Sequence, residues 1–435
     1  MVSLPAPLAR KGTRVRTPAE AISAMIDKYS LNFPRASTGR PRTTGAVVLL
    51  TGSTGSLGSY ILSDLLNSSR VSKVYAFNRA SSDGPSSVRQ RKSFEEKSLP
   101  TETLQSAKVV FLEGDANAAL LGLQVEVYEK MHASVTHIIH NAWTLSFSRS
   151  LPSFEPNISA TRRLIDFALT SKCGSGLKFV FTSSISVGQC WNVADGPYPE
   201  EVVSDPRTAV GANFRGYGEG KYVAEQILAK AADYGLDSTS LRIHQICGSR
   251  SDGAWAVTEW MPGLVKVSLA LKCMPVTGGV VSFVPMDAVA SVVEDVTFSD
   301  TSAPLALNVA HPRPVEWSTF MGNVASALAR DGSEPLLLVP LREWVQKWET
   351  AALSIKKKGH EPAAVFALLG FFRGIADTVD SLKATGFDKH YEGAGLLLYA
   401  TEKARSFSPA LDKLSRLDYE DAQKWVAYWR KVGFI

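Results

Sequence analysis

The chain has 435 residues, 45% hydrophobic and 20% charged, with 47 Lys plus Arg against 42 Asp plus Glu and a formal net charge of +5. At roughly 150 residues per domain this length allows about three domains, or one large α/β unit with a smaller appendage. Its apolar content excludes a disordered chain, and glycines and prolines without a period exclude collagen-like sequence.

The charge sits at one end. Residues 1–45 hold Arg10, Lys11, Arg14, Arg16, Lys28, Arg35, Arg40 and Arg42 against Glu20 and Asp27, a net of +6 that leaves the other 390 residues at −1. The body is electrically ordinary, so no nucleic-acid partner is expected. This first segment reads as a basic arm or linker with one helix, Ala19 to Tyr29. Pro5 and Pro7 spoil the early amphipathic helix that a mitochondrial presequence needs, and a cytoplasmic location is expected. From Ala46 short apolar runs alternate with helical stretches: a strand over 47–50, a helix over 57–67, a strand over 73–77, a helix over 88–97 and a strand over 108–114. A strand over 136–142, a helix over 158–170, a strand over 178–184, a helix over 216–234 and a strand over 238–246 follow. Apolar strands alternating with helices predict a doubly wound parallel sheet, covered on both faces, over 46–250. Residues 251–435 read as a smaller, mainly helical, substrate-facing subdomain, with strands near 280–285 and 304–310 returning to the core.

Cys173, Cys190, Cys247 and Cys273 form no CxxC pair and no Cys/His cluster, so neither structural zinc nor a disulfide framework is expected, and a reducing compartment is. The most apolar stretch, Ala363 to Phe372, is about ten residues, short of the roughly 20 that span a bilayer, so no membrane helix is expected.

The first strand leads into Thr51-Gly52-Ser53-Thr54-Gly55-Ser56-Leu57-Gly58 and directly into a helix. Glycines placed this way permit a tight turn, let backbone N–H groups approach a pyrophosphate and seat the helix on the strand, while the helix N-terminus attracts the anion. The second strand ends in Phe77-Asn78-Arg79, without the carboxylate that usually holds the ribose 2′-hydroxyl of NAD. A guanidinium there suits a 2′-phosphate and therefore NADP(H). Arg89 is a second phosphate candidate or a solvated helix residue; Asp115 and Ala116 are expected near the adenine, and Asn141 and Ala142 along the cofactor.

Two YxxxK sequences occur, Tyr217 to Lys221 and Tyr399 to Lys403. On a helix this spacing puts phenol and ammonium on one face, where the ammonium can lower the phenol's pKa from about 10 and hold the nicotinamide ribose. Tyr217 opens the helix after the strand over 178–184 and is the candidate; Tyr399 lies in the C-terminal region and is read as coincidence. A hydroxyl at that strand's carboxyl end should complete the set by hydrogen-bonding the reacting oxygen. Thr182, Ser183, Ser184 and Ser186 are available; Ser184 is favoured and Ser183 is its main rival.

TGSTGSLG, NRASS, HNAW, FVFTSSISVG, GYGEGK, LRIHQICG and FVPMDAVA, in this order, resemble the extended short-chain dehydrogenases. More specifically the chain looks like the terminal thioester reductase domain of fungal nonribosomal-peptide-synthetase-like enzymes, including aminoadipate and aryl acid reductases. Carboxylic acid reductases and fatty acyl reductases are more distant. The resemblance covers about residues 46–290, and WAVTEWMP (Trp255 to Pro262) is closer to the reductase group. It implies NADPH-dependent reduction of an acyl group on a phosphopantetheine thiol, releasing an aldehyde and, with a second reduction, an alcohol. By position it implies Ser184, Tyr217 and Lys221 as the catalytic set, Arg79 and Arg89 at the 2′-phosphate, Gly52 to Gly58 at the pyrophosphate, and no metal. Neither the adenylation nor the carrier domain of such enzymes is visible in the chain, so the acyl donor is expected from outside, with the basic arm as linker and docking surface. The alternative is an extended short-chain dehydrogenase acting on a free carbonyl or nucleotide sugar with tightly held NAD, which Arg79 disfavours. Trp255, Trp260 and Met261 are candidates for the acyl pocket or for plain core.

Overall fold

The computed structural model describes residues 16–38, 45–211, 215–329, 333–356, 363–384, 391–393 and 397–435. Arg10, Lys11, Arg14, Arg40 and Arg42 lie outside the described residues. The alternation read from the sequence is realised as β1 (Ala46–Thr51), α2 (Ser56–Asn67), β2 (Val71–Asn78), α3 (Ser86–Glu96), β3 (Val109–Glu113), α4 (Val125–His132), β4 (His137–His140), α5 (Glu155–Thr170), β5 (Lys178–Ser184), α6 (Arg215–Ala232) and β6 (Asp237–Ile243), preceded by α1 (Pro18–Tyr29). With β11 (Ala306–Val309) these strands form a seven-stranded sheet in the order β11-β6-β5-β4-β1-β2-β3, every pair parallel. The strands are apolar throughout because both faces are covered. Val47 and Leu49 enter the core under α1, α5 and α6, while Val48 and Leu50 enter the opposite core under α2 and α8 (Met286–Thr297).

The order of strands reverses at β1, which pairs with β2 on one side and β4 on the other. Beyond the carboxyl ends of these two strands lies the crevice where open α/β sheets bind ligands.

The N-terminal segment differs from the expectation of an arm. Helix α1, opened by a capping box between Thr17 and Glu20, buries Ile22 and Ile26 against α5 and α6, and Phe33 follows them into the same core. Arg162 on α5 donates to the carbonyls of Tyr29, Leu31 and Asn32 and lies over the Phe33 ring, while Lys28 pairs with Glu155. The spacing of Ile22 and Ile26 buries one helical face, which brings this part of the segment into the folded unit.

After β6 the run expected as one strand breaks at His244, and β7 (Ile246–Cys247) pairs with β10 (Val284–Pro285). The strand expected over 280–285 is likewise split: β9 (Val280–Val281) pairs antiparallel with β12 (Val315–Glu316), and neither piece joins the main sheet. The strand expected over 304–310 does join it, as β11. The remaining elements are α7 (Trp260–Leu271), β8 (Cys273–Val276), α9 (Trp317–Leu328), β13 (Leu337–Pro340), α10 (Leu341–Lys356), α11 (Ala363–Ala384), α12 (Glu402–Phe407), α13 (Pro409–Asp412) and α14 (Tyr419–Lys431). Trp255 and Met261 are buried in the C-terminal core with Trp344, Trp425 and Trp429, so these two are packing residues. Helix α14 seats Trp425 on the turn after β7, where a Cβ on Gly248 would lie 2.4 Å from the indole. Ala404, Leu411 and Leu414 return to the α2/α8 face of the main sheet, so the chain's end belongs partly to the first layer. Among the described residues no helix is long and apolar enough to cross a membrane, and no cluster of His, Cys, Asp and Glu could hold a metal ion.

Candidate active site

The glycine loop follows β1. Gly52 has φ +71, and a Cβ there would lie 2.8 Å from Ala142 Cα, so both the turn and the close approach of the segment after β4 require glycine. A Cβ on Gly58 would lie 2.1 Å from Gly52 O, which fixes glycine where helix and loop touch. Gly55 is the N-cap residue of α2 and brings no side-chain cap, leaving the first-turn N–H groups, including those of Ser56 and Leu57, without a side-chain acceptor. An anion fits this end. The Thr51 hydroxyl accepts from the N–H groups of Asn141 (3.1 Å) and Ala142 (3.0 Å), and Asn141 Nδ2 donates to Gly52 O (3.2 Å), so the loop and the end of β4 are one unit.

Asn78 is buried and directed at the loop. Its Nδ2 donates to Ser53 Oγ (2.8 Å), and its Oδ1 accepts from Thr54 N (3.4 Å) and Thr54 Oγ1 (3.3 Å). Arg79, the next residue, is exposed at the end of β2. Arg89 is partly buried: Nε donates to Gly84 O (2.9 Å), Nη2 donates to Arg79 O (2.6 Å), and the guanidinium pairs with Glu113 (3.2 Å). It therefore ties the loop after β2 to the end of β3. Asp115 is exposed and accepts from Asn117 N (2.9 Å), shaping the turn after β3, where Ala116 packs on the core. Two residues of α3 and its C-cap, which the sequence reading passed over, complete the cradle. Gln90 Nε2 donates to Ser53 O (3.0 Å), Ser93 Oγ donates to Thr54 O (3.0 Å), and Lys97 Nζ donates to Ser93 Oγ (2.9 Å).

At the carboxyl end of β5 neighbouring hydroxyls separate, as the strand pleat requires. Ser183 Oγ donates to Glu225, which is also held by Arg242 in a buried ion pair of 2.9 Å. Ser184 lies beside the Tyr217 hydroxyl, where its own hydroxyl acts to lower the phenol's pKa. Ser184 Oγ accepts from Ser186 N (3.2 Å) and Ser186 Oγ (3.0 Å), which leaves its own proton to donate. Tyr217 stands in the first turn of α6, and Lys221, one turn on, is buried with Nζ donating to Thr182 O at 2.5 Å. Burial pushes the Tyr217 phenol up to about 12, opposed by the Ser184 hydroxyl, so it is protonated at neutral pH. Burial also holds the Lys221 ammonium well below its usual range, with Glu225 acting in the opposite direction. The motif's glycines are spatial: a Cβ on Gly218 would meet Ser186 O at 2.6 Å.

The second YxxxK is different. Tyr399 precedes α12, so it does not share a helical face with Lys403; its hydroxyl donates to Ile185 O, and Lys403 Nζ donates to Glu200 O (3.0 Å). These bonds strap the C-terminal region to the segment between β5 and α6.

The chain is 44% identical over 392 residues to the "Adenylate-forming reductase Nps11" of Serpula lacrymans var. lacrymans, covering 89% of this chain and 35% of that protein. It thus spans about a third of the length of such curated relatives. Among solved structures, the terminal R domain from the myxalamid PKS-NRPS biosynthetic pathway matches with a TM-score of 0.76 at 21% identity, covering 95% of this chain and 99% of that one. A thiolation-reductase di-domain from an archaeal non-ribosomal peptide synthetase matches with a TM-score of 0.67 at 17% identity, covering 95% and 80%. Both likenesses establish the fold. Residues 50–293 match the NAD-binding family described as "Male sterility protein", and with its glycine loop at the reversal of strand order the chain belongs to that family.

Proposed function

We propose that this chain is an NADPH-dependent thioester reductase that releases an acyl group from a phosphopantetheine thiol as an aldehyde. The convergence of Ser184, Tyr217 and Lys221 at the end of β5, beside the glycine loop, carries this reading. Gly52 to Gly58 would hold the pyrophosphate, Arg79 the 2′-phosphate, and Asn141, Ala142, Tyr217 and Lys221 the nicotinamide half. Arg89 would fix the loop that carries Arg79, and Asp115 and Ala116 would border the adenine. NADPH, when bound, supplies a hydride to the carbonyl carbon. Ser184 donates a hydrogen bond to the carbonyl oxygen, Tyr217 gives that oxygen its proton, and Lys221 stabilises the resulting phenolate. The hemithioacetal then collapses, its C–S bond breaking to leave aldehyde and thiol. The exposed Arg79 and the absence of a carboxylate at the end of β2 support NADPH over NADH. An acyl donor on an external carrier domain is supported by relatives named adenylate-forming reductases and by the fold shared with a thiolation-reductase di-domain.

The test is NADPH oxidation with acyl-pantetheine thioesters. Tyr217→Phe should abolish turnover and leave NADPH binding intact, since only the proton donor is removed. Wild-type-like turnover in that variant, or activity with free ketones or nucleotide sugars alone, would overturn the proposal.

A further inference from the structure

We infer that Trp143 is a positioning residue for Lys221: its indole face stabilises the buried ammonium that the reaction uses. This rests on the role proposed for Tyr217 and Lys221. Lys221 is 3% exposed, and its Nζ lies 4.4 Å from the Trp143 ring centroid and 4.6 Å from that of Phe181, with Thr182 O as hydrogen-bond acceptor. A cation over an aromatic face is attracted by the ring quadrupole, most strongly where water is excluded. The carboxylate one turn along attracts Lys221 by its charge but makes no hydrogen bond to it, because the Glu225 oxygens are taken by Ser183 Oγ and by Nε and Nη2 of Arg242. The charged and titratable groups facing Lys221 are Tyr217 and Glu225 on its own helix, His140 on β4 and, behind Glu225, Arg242 on β6. His140 is held neutral by burial and by Lys221, and its ring nitrogens are engaged by Thr51 (2.9 Å) and Thr161 (3.0 Å).

The packing holds the indole in this position. The Trp143 ring stacks nearly parallel to Phe154 (13°, centroids 6.5 Å apart) and tilts against Phe181 (5.6 Å). A Cβ on Gly220 would lie 3.1 Å from Phe154 Cβ and 3.3 Å from Trp143 Cζ2. Glycine in the helix, immediately before Lys221, admits these two rings. Burial disfavours the charged lysine and the Glu225 carboxylate opposes that effect; the groups in direct contact with the ammonium are the two ring faces and the Thr182 carbonyl.

The experiment is the pH dependence of kcat for NADPH-dependent thioester reduction. Losing an aromatic face lowers the pKa of the ammonium, so Trp143→Leu should move the alkaline limb of the profile down by about one pH unit. Trp143→Phe keeps a ring and should restore part of that shift. A purely structural role would reduce the amplitude and leave the limb in place, and an unmoved limb in Trp143→Leu overturns the inference. Should that variant fail to bind NADPH, Phe181→Leu removes the second ring and must move the same limb in the same direction. Lys221→Ala separates the two claims. Wild-type turnover in Lys221→Ala would refute the catalytic reading, whereas its loss combined with an unmoved limb in Trp143→Leu would refute this inference alone.

Discussion

Ser183 and Ser184 are adjacent, and the structure assigns opposite consequences to their loss. Ser183→Ala removes the donor to Glu225, a buried carboxylate 3% exposed. A hydrogen bond to a charged group contributes about 1.5–3 kcal/mol, and the oxygen left without it is in the interior. The expected result is a lower urea midpoint with an unchanged slope, and turnover within a few-fold of wild type. Ser184→Ala removes the hydroxyl facing Tyr217 and the acceptor for Ser186 N. Loss of this cap should cost about 1 kcal/mol of stability, while loss of a donor to the developing oxyanion should lower kcat by about 10²-fold, roughly 3 kcal/mol of activation free energy. Both variants would be followed by NADPH absorbance with an acyl-pantetheine thioester and by urea unfolding. The reverse pattern, with Ser183→Ala inactive and Ser184→Ala active, would refute the placement of the hydroxyl donor.

Arg79→Ala should lower the ratio of kcat/KM for NADPH to that for NADH by roughly tenfold, the lower end expected of an exposed charge-assisted contact; an unchanged ratio would move 2′-phosphate recognition elsewhere. Glu225→Gln leaves the buried Arg242 charge uncompensated and should destabilise the protein by about 3–5 kcal/mol, whereas Glu225→Gln with Arg242→Met should regain most of that loss, both read by urea unfolding. Burial pushes the carboxyl of Glu392 up to about 8, above its ordinary 4.5, so the folded state binds this proton more tightly and its contribution to stability is lost as pH rises from 4.5 towards about 8. Glu392→Gln should flatten the pH dependence of the unfolding free energy, read from urea titrations in that window, by up to about 1.4 kcal/mol per pH unit, and an identical slope would contradict the assignment.

The sheet, the glycine loop and the Tyr217/Lys221 pair were legible because each is encoded locally, in apolar runs bounded by helices, in glycines at a strand end and in a spacing of four. The α3 cradle was not, because Gln90 and Ser93 reach loop carbonyls 37 and 39 residues earlier in the chain and no periodicity announces such bonds. The docking of α1 is encoded in Ile22 and Ile26, one turn apart on a capped helix, but the basic residues around them give the same segment the composition of an arm. Strand alternation separated Ser183 from Ser184 but could not say which meets Tyr217, since that depends on the register of β5 with α6. A signal for that register was present: Arg242 within an apolar strand, and Glu225 at a helical spacing from Lys221, mark a buried ion pair. The split of residues 280–285 was hidden because two short pairings with different partners produce the same apolar run as one strand.

Tyr217, Lys221 and Glu225, each four residues apart, form one stripe along α6, and β5 answers with Ser184 at Tyr217, the Thr182 carbonyl at Lys221 and Ser183 at Glu225. Two of these contacts serve the proposed chemistry and the third serves registration. Because Arg242 on β6 also grips Glu225, through Nε at 3.0 Å and Nη2 at 2.9 Å, the helix is locked against two strands at a point two turns along from the Tyr217 phenol. A slip of α6 along its axis would have to break the buried ion pair before it displaced Tyr217 from Ser184. The charge buried at Glu225 and Arg242 therefore fixes where Tyr217 stands against Ser184, the geometry that the proposed proton transfer needs, and the glycines at 218 and 220, unfavourable in a helix interior, are tolerated because they let this stripe approach the β5 turn and the rings beside Lys221.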